Sequence, residues 1–373
     1  MSEAAPADRS YIARALELAR RAWGQTHPNP MVGAVIVEGD QIVAEGWHAA
    51  AGQAHAEVAA LKALGRAPLP DACLYVTLEP CSTCGRTGAC TQAIIEAGFK
   101  RVVVGAHDPN PAHAGRGLSI LRAAGIEVVE GVLAAECTDL NLIFNHWITL
   151  QTPLIAVKMA LTLDGKFAAA SGHSKWVTGE LARADVMRWR RYFPAIAVGA
   201  GTVEADDPRL TARWQDTVWC PIRIVFDRSL RTLAIKPLPG LYTDADSART
   251  ILVCLESAPD AAKARAEALG LRLWCLAGHE GSFDWGAFRQ RCAEAGIFGV
   301  YVETGPGLAT ALLEGGLADY CFVYQAPKFI CDSAAVGIGS RRETQSMEAA
   351  FRLRDLQLEN FGQDRLTRGF IDL

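Results

Sequence analysis

Short apolar runs rich in Val, Ile, Leu and Ala recur along the 373 residues, and most are followed by a segment with helical patterning. That alternation restricts the chain to an α/β architecture, in which helices cover the faces of a largely parallel sheet. The runs form two series. In the first, a helix capped by Ser10 is expected from Tyr11 to about Trp23, after a loose tail of residues 1–9. Its Tyr11, Ile12, Ala15, Leu16, Ala19 and Trp23 share one face. THPNP reads as a turn, MVGAVIV (31–37) and QIVAEGW (41–47) as strands joined through EGD, and AEVAALKALG as a helix closed by Gly65. ACLYVTLE, RVVVGA and IEVVEG follow as strands, with TQAIIEAG and GLSILRAAG as the helices between them, which makes a three-layer α/β domain. The second series starts at PLIAVKMAL, runs through PAIAVGAGT, PIRIVFD, TILVCL, LRLWCL and FGVYVETG, and closes on ADYCFVYQAP. The boundary falls at QTP, giving domains 1–150 and 151–373, each long enough to bury its own core.

The formal net charge of −4 lacks the positive field that binding to a phosphate backbone needs, so no nucleic-acid partner is expected. MSEAAPADRS has no basic stretch leading into an apolar one, and no later run approaches the ~18 apolar residues of a membrane span. A cytoplasmic protein with no membrane partner is the expectation. Eleven cysteines are scattered along the chain and cluster only in residues 73–90, which favours reduced thiols and a metal over a disulfide framework.

Three of those cysteines, Cys81, Cys84 and Cys90, stand in TLEPCSTCGRTGAC, and His55 and Glu57 stand upstream in HAEV. A catalytic zinc takes three protein ligands, keeps a fourth position for water, and needs a carboxylate nearby to carry the proton. His55 with all three cysteines would close the tetrahedron, so a hydrolytic site takes two of them. Either pairing keeps Cys81. Cys84 is the near partner, whereas Cys90 needs GRTGA to loop back, which its two glycines allow; spacing leaves both open. HAE or CxxC alone matches by chance, but the ordered pair is specific. It is the signature of zinc deaminases that act on nucleobases, with the glutamate (here Glu57) as acid/base. Asn29, in the HPNP turn, is a candidate substrate contact, although turn formation also explains an asparagine there.

In the second half, Lys158, Asp164, Lys166, Ser174 and Trp176 fall on a strand and the loop after it. Arg183, Arg188, Arg190 and Arg191 share one expected helix, and a guanidinium fork suits a phosphate monoester; a solvated basic face is the plainer account. ETGPGLATALLEGG follows a strand and opens a helix, yet reads GPGLAT rather than GxGxxG, so only a general phosphate-binding helix start is implied.

THPNPMVGAVIV, HAEV, and TLEPCS followed by GRT and a cysteine nine residues after the first resemble the deaminase domain of the bifunctional deaminase/reductase of riboflavin biosynthesis. KMALTLDGK, HSKWVTG, VGAGTVEADDPRLTAR and VETGPGLATALL resemble its reductase domain, so that the resemblance spans nearly all of the chain after the first ten residues. It implies a cytidine-deaminase-like domain followed by a dihydrofolate-reductase-like α/β domain. It further implies zinc ligands His55, Cys81 and Cys90 with Glu57 as proton shuttle, and puts Thr83 and Cys84 where the family usually has two histidines. In the reductase half it implies NADPH contacts from Ala160, Trp176, Thr202, Asp206 and the loop through Gly305 and Gly307. Ser174, Arg190, Leu210, Arg213 and Glu303 would hold a ribose-phosphate substrate, with Lys158 near the reacting carbon. The implied reactions are hydrolytic deamination of a diamino-ribosylamino-pyrimidinone 5′-phosphate and then NADPH-dependent reduction of its ribosyl group to ribityl, in a homodimer. Two rival expectations stand beside it. A deaminase of tRNA or free nucleobases with an appended domain would need a basic surface; a structural zinc module beside a nucleotide-binding sensor would need four saturated ligands.

Overall fold

The computed structural model describes residues 5–82, 89–111, 113–279, 282–338 and 344–372. Its chain divides into two units, Met1–Gln151 and Thr152–Leu373. No helix among the described residues is long and apolar enough to cross a membrane.

The first unit is built on a five-stranded sheet in the order Gln41–Trp47, Gly33–Glu38, Cys73–Leu78, Arg101–Ala106, Glu127–Glu130. Its first three strands are antiparallel and its last three parallel. The two-residue period of a strand splits the apolar residues between the faces. Ala34, Ile36, Leu74, Val76, Val102 and Val104 pack with Ala60, Ile94 and Leu118 of the helices Ala56–Leu64, Cys90–Ala97 and Arg116–Ala123. The opposite face receives the helix Pro6–Arg20 through buried Ile12, Ala15, Leu16 and Ala19. A Cβ on Gly33 would stand 1.9 Å from the Ala15 carbonyl oxygen, so the helix reaches the sheet only because that strand residue has no side chain. This helix starts at Pro6, earlier than the expected Tyr11, and Ser10 lies inside it with its hydroxyl on the Ala7 carbonyl. The first turn is held by Asp8, which accepts from the Ala5 amide at 2.9 Å, from Tyr75 at 3.0 Å and from Arg101 through both oxygens. Those last partners lie far away in sequence, where a local reading does not find them.

The second unit carries a nine-stranded sheet. Its order is Arg272–Leu276, Thr250–Leu255, Ile222–Phe226, Ala195–Gly199, Gly299–Glu303, Leu154–Thr162, Tyr320–Ala326, Asp364–Asp372, Arg352–Phe361. The first seven strands are parallel, Asp364–Asp372 is antiparallel to them, and Arg352–Phe361 pairs antiparallel with it at the edge. One face buries Ile155, Val157, Val300, Val302, Ile224 and Val253 against Phe288, Ala309 and Leu312. The other stacks Tyr301, Phe322 and Tyr324 near Trp189, Tyr192 and Phe193, from and just after the helix Glu180–Tyr192. Two features differ from the expectation. The sheet does not close on ADYCFVYQAP but continues into a C-terminal hairpin, and VGAGTVEAD turns from a strand into the short helix Ala200–Asp206.

Candidate active sites

In the first unit, three element ends meet. Gly65 terminates the helix Ala56–Leu64 in the left-handed region, and His55 is that helix's N-cap, so Glu57 falls in its first turn. Cys81 follows the strand Cys73–Leu78, and Cys90 is the first residue of the helix Cys90–Ala97. The His55 Nδ1 atom lies 3.2 Å from Cys90 Sγ and 3.6 Å from Cys81 Sγ. All three donor atoms fall within 4.8 Å of one another. The Cys90 amide donates to Cys81 Sγ at 3.4 Å, as expected of a thiolate facing a helix start. A hydrogen bond from Cys90, opposed by burial and reinforced by the His55 ring, pushes the Cys81 thiol down to about 4, while the same pairing and burial push Cys90 up. An imidazole and two sulfurs at this spacing fit zinc, which would take the place of the shared proton. Glu57 is 3% exposed beside them, and burial raises its carboxyl above its ordinary value, a direction that suits a group which accepts and returns a proton. Thr83 and Cys84 lie outside the described residues.

Asn29 sits in the turn, its Nδ2 3.2 Å from His48 Nε2. His48 has no motif of its own in the sequence. It is buried, with Nδ1 3.0 Å from the Ala54 carbonyl and its ring edge-on to His55 at 5.5 Å. With the Nδ1 proton on Ala54, Nε2 accepts from Asn29, which leaves the Asn29 carbonyl oxygen facing away from His48 as an acceptor.

In the second unit, twelve expected residues line one cavity of about 1630 Å³: Lys158, Ala160, Ser174, Trp176, Arg190, Thr202, Asp206, Leu210, Arg213, Glu303, Gly305 and Gly307. Eight basic side chains line it against five acidic ones, in a chain whose net charge is −4. It therefore attracts phosphorylated ligands. Lys158 and Glu303 are register partners on adjacent parallel strands. Glu303 grips Arg190 through both oxygens, at 2.5 and 2.9 Å, and Arg190 also donates to the Thr211 carbonyl. Burial alone would push the Glu303 carboxyl up, but the Arg190 charge and bond hold it below its ordinary value. Burial pushes the Lys158 amine down, with Glu303 opposing. No Cβ position on Gly305 or Gly307 meets a protein atom within 4 Å, so the start of the helix Pro306–Glu314 offers open backbone to a ligand.

The four arginines of the helix Glu180–Tyr192 do not act as one phosphate cluster. Arg188 pairs with Asp185, Arg191 lies over Trp219, Arg190 is held by Glu303, and Arg183 lies 4.6 Å from the Trp176 ring centroid while donating to the Thr178 carbonyl. Arg213, in the strand Ala212–Trp214, lines the cavity and has no ion-pair partner among the described residues.

Residues 6–106 match the family model of the cytidine and deoxycytidylate deaminase zinc-binding region, and residues 153–367 match that of the RibD C-terminal domain. The riboflavin biosynthesis protein RibD of Aquifex aeolicus is 40% identical over 96% of both chains. Among solved structures, RibD of Acinetobacter baumannii aligns with a TM-score of 0.77 at 34% identity, over 98% of this chain and 99% of that one. The diaminohydroxyphosphoribosylaminopyrimidine deaminase/5-amino-6-(5-phosphoribosylamino)uracil reductase of Thermotoga maritima aligns with a TM-score of 0.77 at 32% identity, over 97% and 98%. With a zinc-type donor trio in one unit and an anion-attracting cavity in the other, the chain belongs to the RibD family of riboflavin biosynthesis, bifunctional enzymes that combine a zinc-binding deaminase with a reductase.

Proposed function

We propose that residues 1–150 deaminate a diamino-ribosylamino-pyrimidinone 5′-phosphate and that residues 151–373 reduce the ribosyl group of the product to ribityl with NADPH. The observation that carries the first step is the trio of His55, Cys81 and Cys90 donor atoms within 4.8 Å, beside the buried carboxyl of Glu57. Zinc bound there supplies an activated water. The protein's own work is to place and move protons. Glu57 takes the proton of the attacking water and hands it to the departing amine, and Asn29, oriented by His48, accepts from the substrate. In the second step the dinucleotide supplies hydride. Trp176, Thr202, Asp206, Ala160 and the Gly305–Gly307 backbone hold it, and Ser174, Leu210, Arg213 and the paired Arg190 and Glu303 hold the ribose phosphate. Lys158, in register with Glu303, supplies positive charge and a proton at the ring oxygen as the carbon–oxygen bond opens. The enzyme works in the cytoplasm as a homodimer, without a nucleic-acid or membrane partner.

The test is a paired assay on the purified full chain, with ammonia release followed first and NADPH consumption on the deaminated product second. The Cys90→Ser variant is expected to lose zinc and ammonia release while keeping NADPH consumption. Full zinc and full deamination in that variant would overturn the ligand assignment.

A further inference from the structure

Glu79 belongs to the TLEPC run but has neither a ligand position nor a catalytic contact. It follows the strand Cys73–Leu78 and precedes Cys81 by two residues, so its backbone and that of a zinc-type ligand are one segment. Its side chain is 2% exposed, and three backbone amides converge on it. Oε2 accepts from Asp108 at 3.2 Å and Gly115 at 3.0 Å, and Oε1 accepts from Gly117 at 2.8 Å. Its own amide donates to the Ala106 carbonyl at 2.9 Å. Gly115 and Gly117 open the helix Arg116–Ala123, so the carboxylate also meets the positive end of that helix. The approach is close: a Cβ on Gly117 would lie 2.2 Å from the Pro80 carbonyl oxygen.

A single buried carboxylate thus ties both ends of segment 108–117 to the stretch that carries Cys81. At the near end of that segment stands Asp108, half-buried, which raises its pKa, with its Oδ1 accepting from the Asn110 amide at 2.9 Å. Carboxyl oxygens there can accept from a ring that bears amino groups.

We propose that Glu79 is a positioning residue of the deaminase, which fixes segment 108–117 to the Cys81 backbone and so holds the Asp108 carboxylate against the amino-bearing edge of the substrate. The proposal rests on the deaminase reading of this unit. Glu79 touches no substrate; it acts through the loop, and displacement of a binding group by an ångström is enough to matter.

The experiment uses the full chain with the Glu79→Gln and Glu79→Asp substitutions. The Gln side chain keeps the shape but removes the charge and turns an N–H2 toward backbone N–H groups; the Asp side chain keeps the charge one methylene short. Zinc content, deamination kinetics, NADPH consumption on the deaminated product, and amide exchange at Gly115 and Gly117 are measured. In Glu79→Gln the deamination KM is expected to rise about tenfold or more with kcat within about threefold, zinc content and reductase rate as in the wild type, and faster exchange at both glycines. Glu79→Asp is expected to recover part of the lost KM. An unchanged KM in Glu79→Gln overturns the proposal, as does activity that falls only in step with zinc. If Glu79→Gln does not fold, Glu79→Asp decides: faster exchange at Gly115 and Gly117 without a rise in KM overturns the proposal, and both rising together supports it. A wild-type chain that releases no ammonia would instead sink the deaminase reading itself.

Discussion

Replacing Glu303 by glutamine probes the centre of the reductase unit, because it removes one charge and almost no volume. Glu303 and Arg190 are 16% and 12% exposed in their side chains and share two hydrogen bonds, so solvent screens the pair little. Removing one partner of a buried ion pair costs about 3–5 kcal/mol when nothing replaces it. The glutamine oxygen still accepts one bond from Arg190, which also keeps the Thr211 carbonyl, so about 2 kcal/mol is expected. For a unit of this length that corresponds to a fall of about 4–8 °C in its calorimetric transition. The kinetic effect has a definite sign. Burial lowers the Lys158 pKa and Glu303 raises it, so without the carboxylate the amine titrates lower still. If Lys158 acts as an ammonium, the high-pH limb of NADPH oxidation moves to lower pH in the variant. Stability moves in a linked way. The unfolded chain binds the Lys158 proton at pH values between the folded pKa and the ordinary 10.5, so the group's contribution improves as pH rises through that window, and the window widens downward in the variant. A transition within 1 °C of wild type, or a high-pH limb that stays or rises, would refute the reasoning.

Two further outcomes concern the first unit. Gly33→Ala puts a Cβ 1.9 Å from the Ala15 carbonyl oxygen and 2.9 Å from the Ala19 nitrogen, both backbone, so the helix Pro6–Arg20 must lift. A loss of about 3 kcal/mol in chemical denaturation is expected, and an unchanged midpoint for this unit counts against the packing described. Asp8→Asn breaks the carboxylate's pair with Arg101, for a loss of about 2–3 kcal/mol at neutral pH. Burial opposes ionisation of Asp8, but its bonds to Arg101, Ala5 and Tyr75 lower its pKa below the ordinary 3.8. Its contribution is therefore present above that value and fades as the pH falls through the folded pKa, so the denaturation curves of variant and wild type must converge in acid. A difference that persists there would contradict the assignment.

The zinc-type trio is legible in the sequence because each donor stands at the end of an element with a strong local signal. His55 precedes the helix closed by Gly65, Cys81 leaves an unbroken apolar strand, and Cys90 opens the next helix. Spacing could not choose between Cys84 and Cys90; the proximity of His55 and Cys90 is a tertiary fact. His48 and Glu79 are silent for the same reason, since their partners lie on other segments. The start of the first helix escapes notice because Asp8 is fixed by Tyr75 and Arg101 rather than by its neighbours. The C-terminal hairpin is hidden by a register shift between Arg354 and Gln357, where Asp355 takes a positive φ, so that Leu353, Leu356 and Leu358 fail to keep a two-residue period. In the reductase half, composition places arginines on a helix, but only the fold reveals that Glu303 and Asp185 already occupy two of them.

The strand Leu154–Thr162 opens the second unit, yet in the sheet it lies between Gly299–Glu303 and Tyr320–Ala326. During synthesis it must therefore wait, unpaired on both edges, until the ribosome has delivered the strand Gly299–Glu303. Lys158 meets Glu303 only then. The first unit, whose sheet is finished by residue 130, has no such delay. A nascent chain should thus be able to complete the deaminase sheet well before any reductase pocket exists, and a premature stop before residue 299 leaves the second half without its central strand pair.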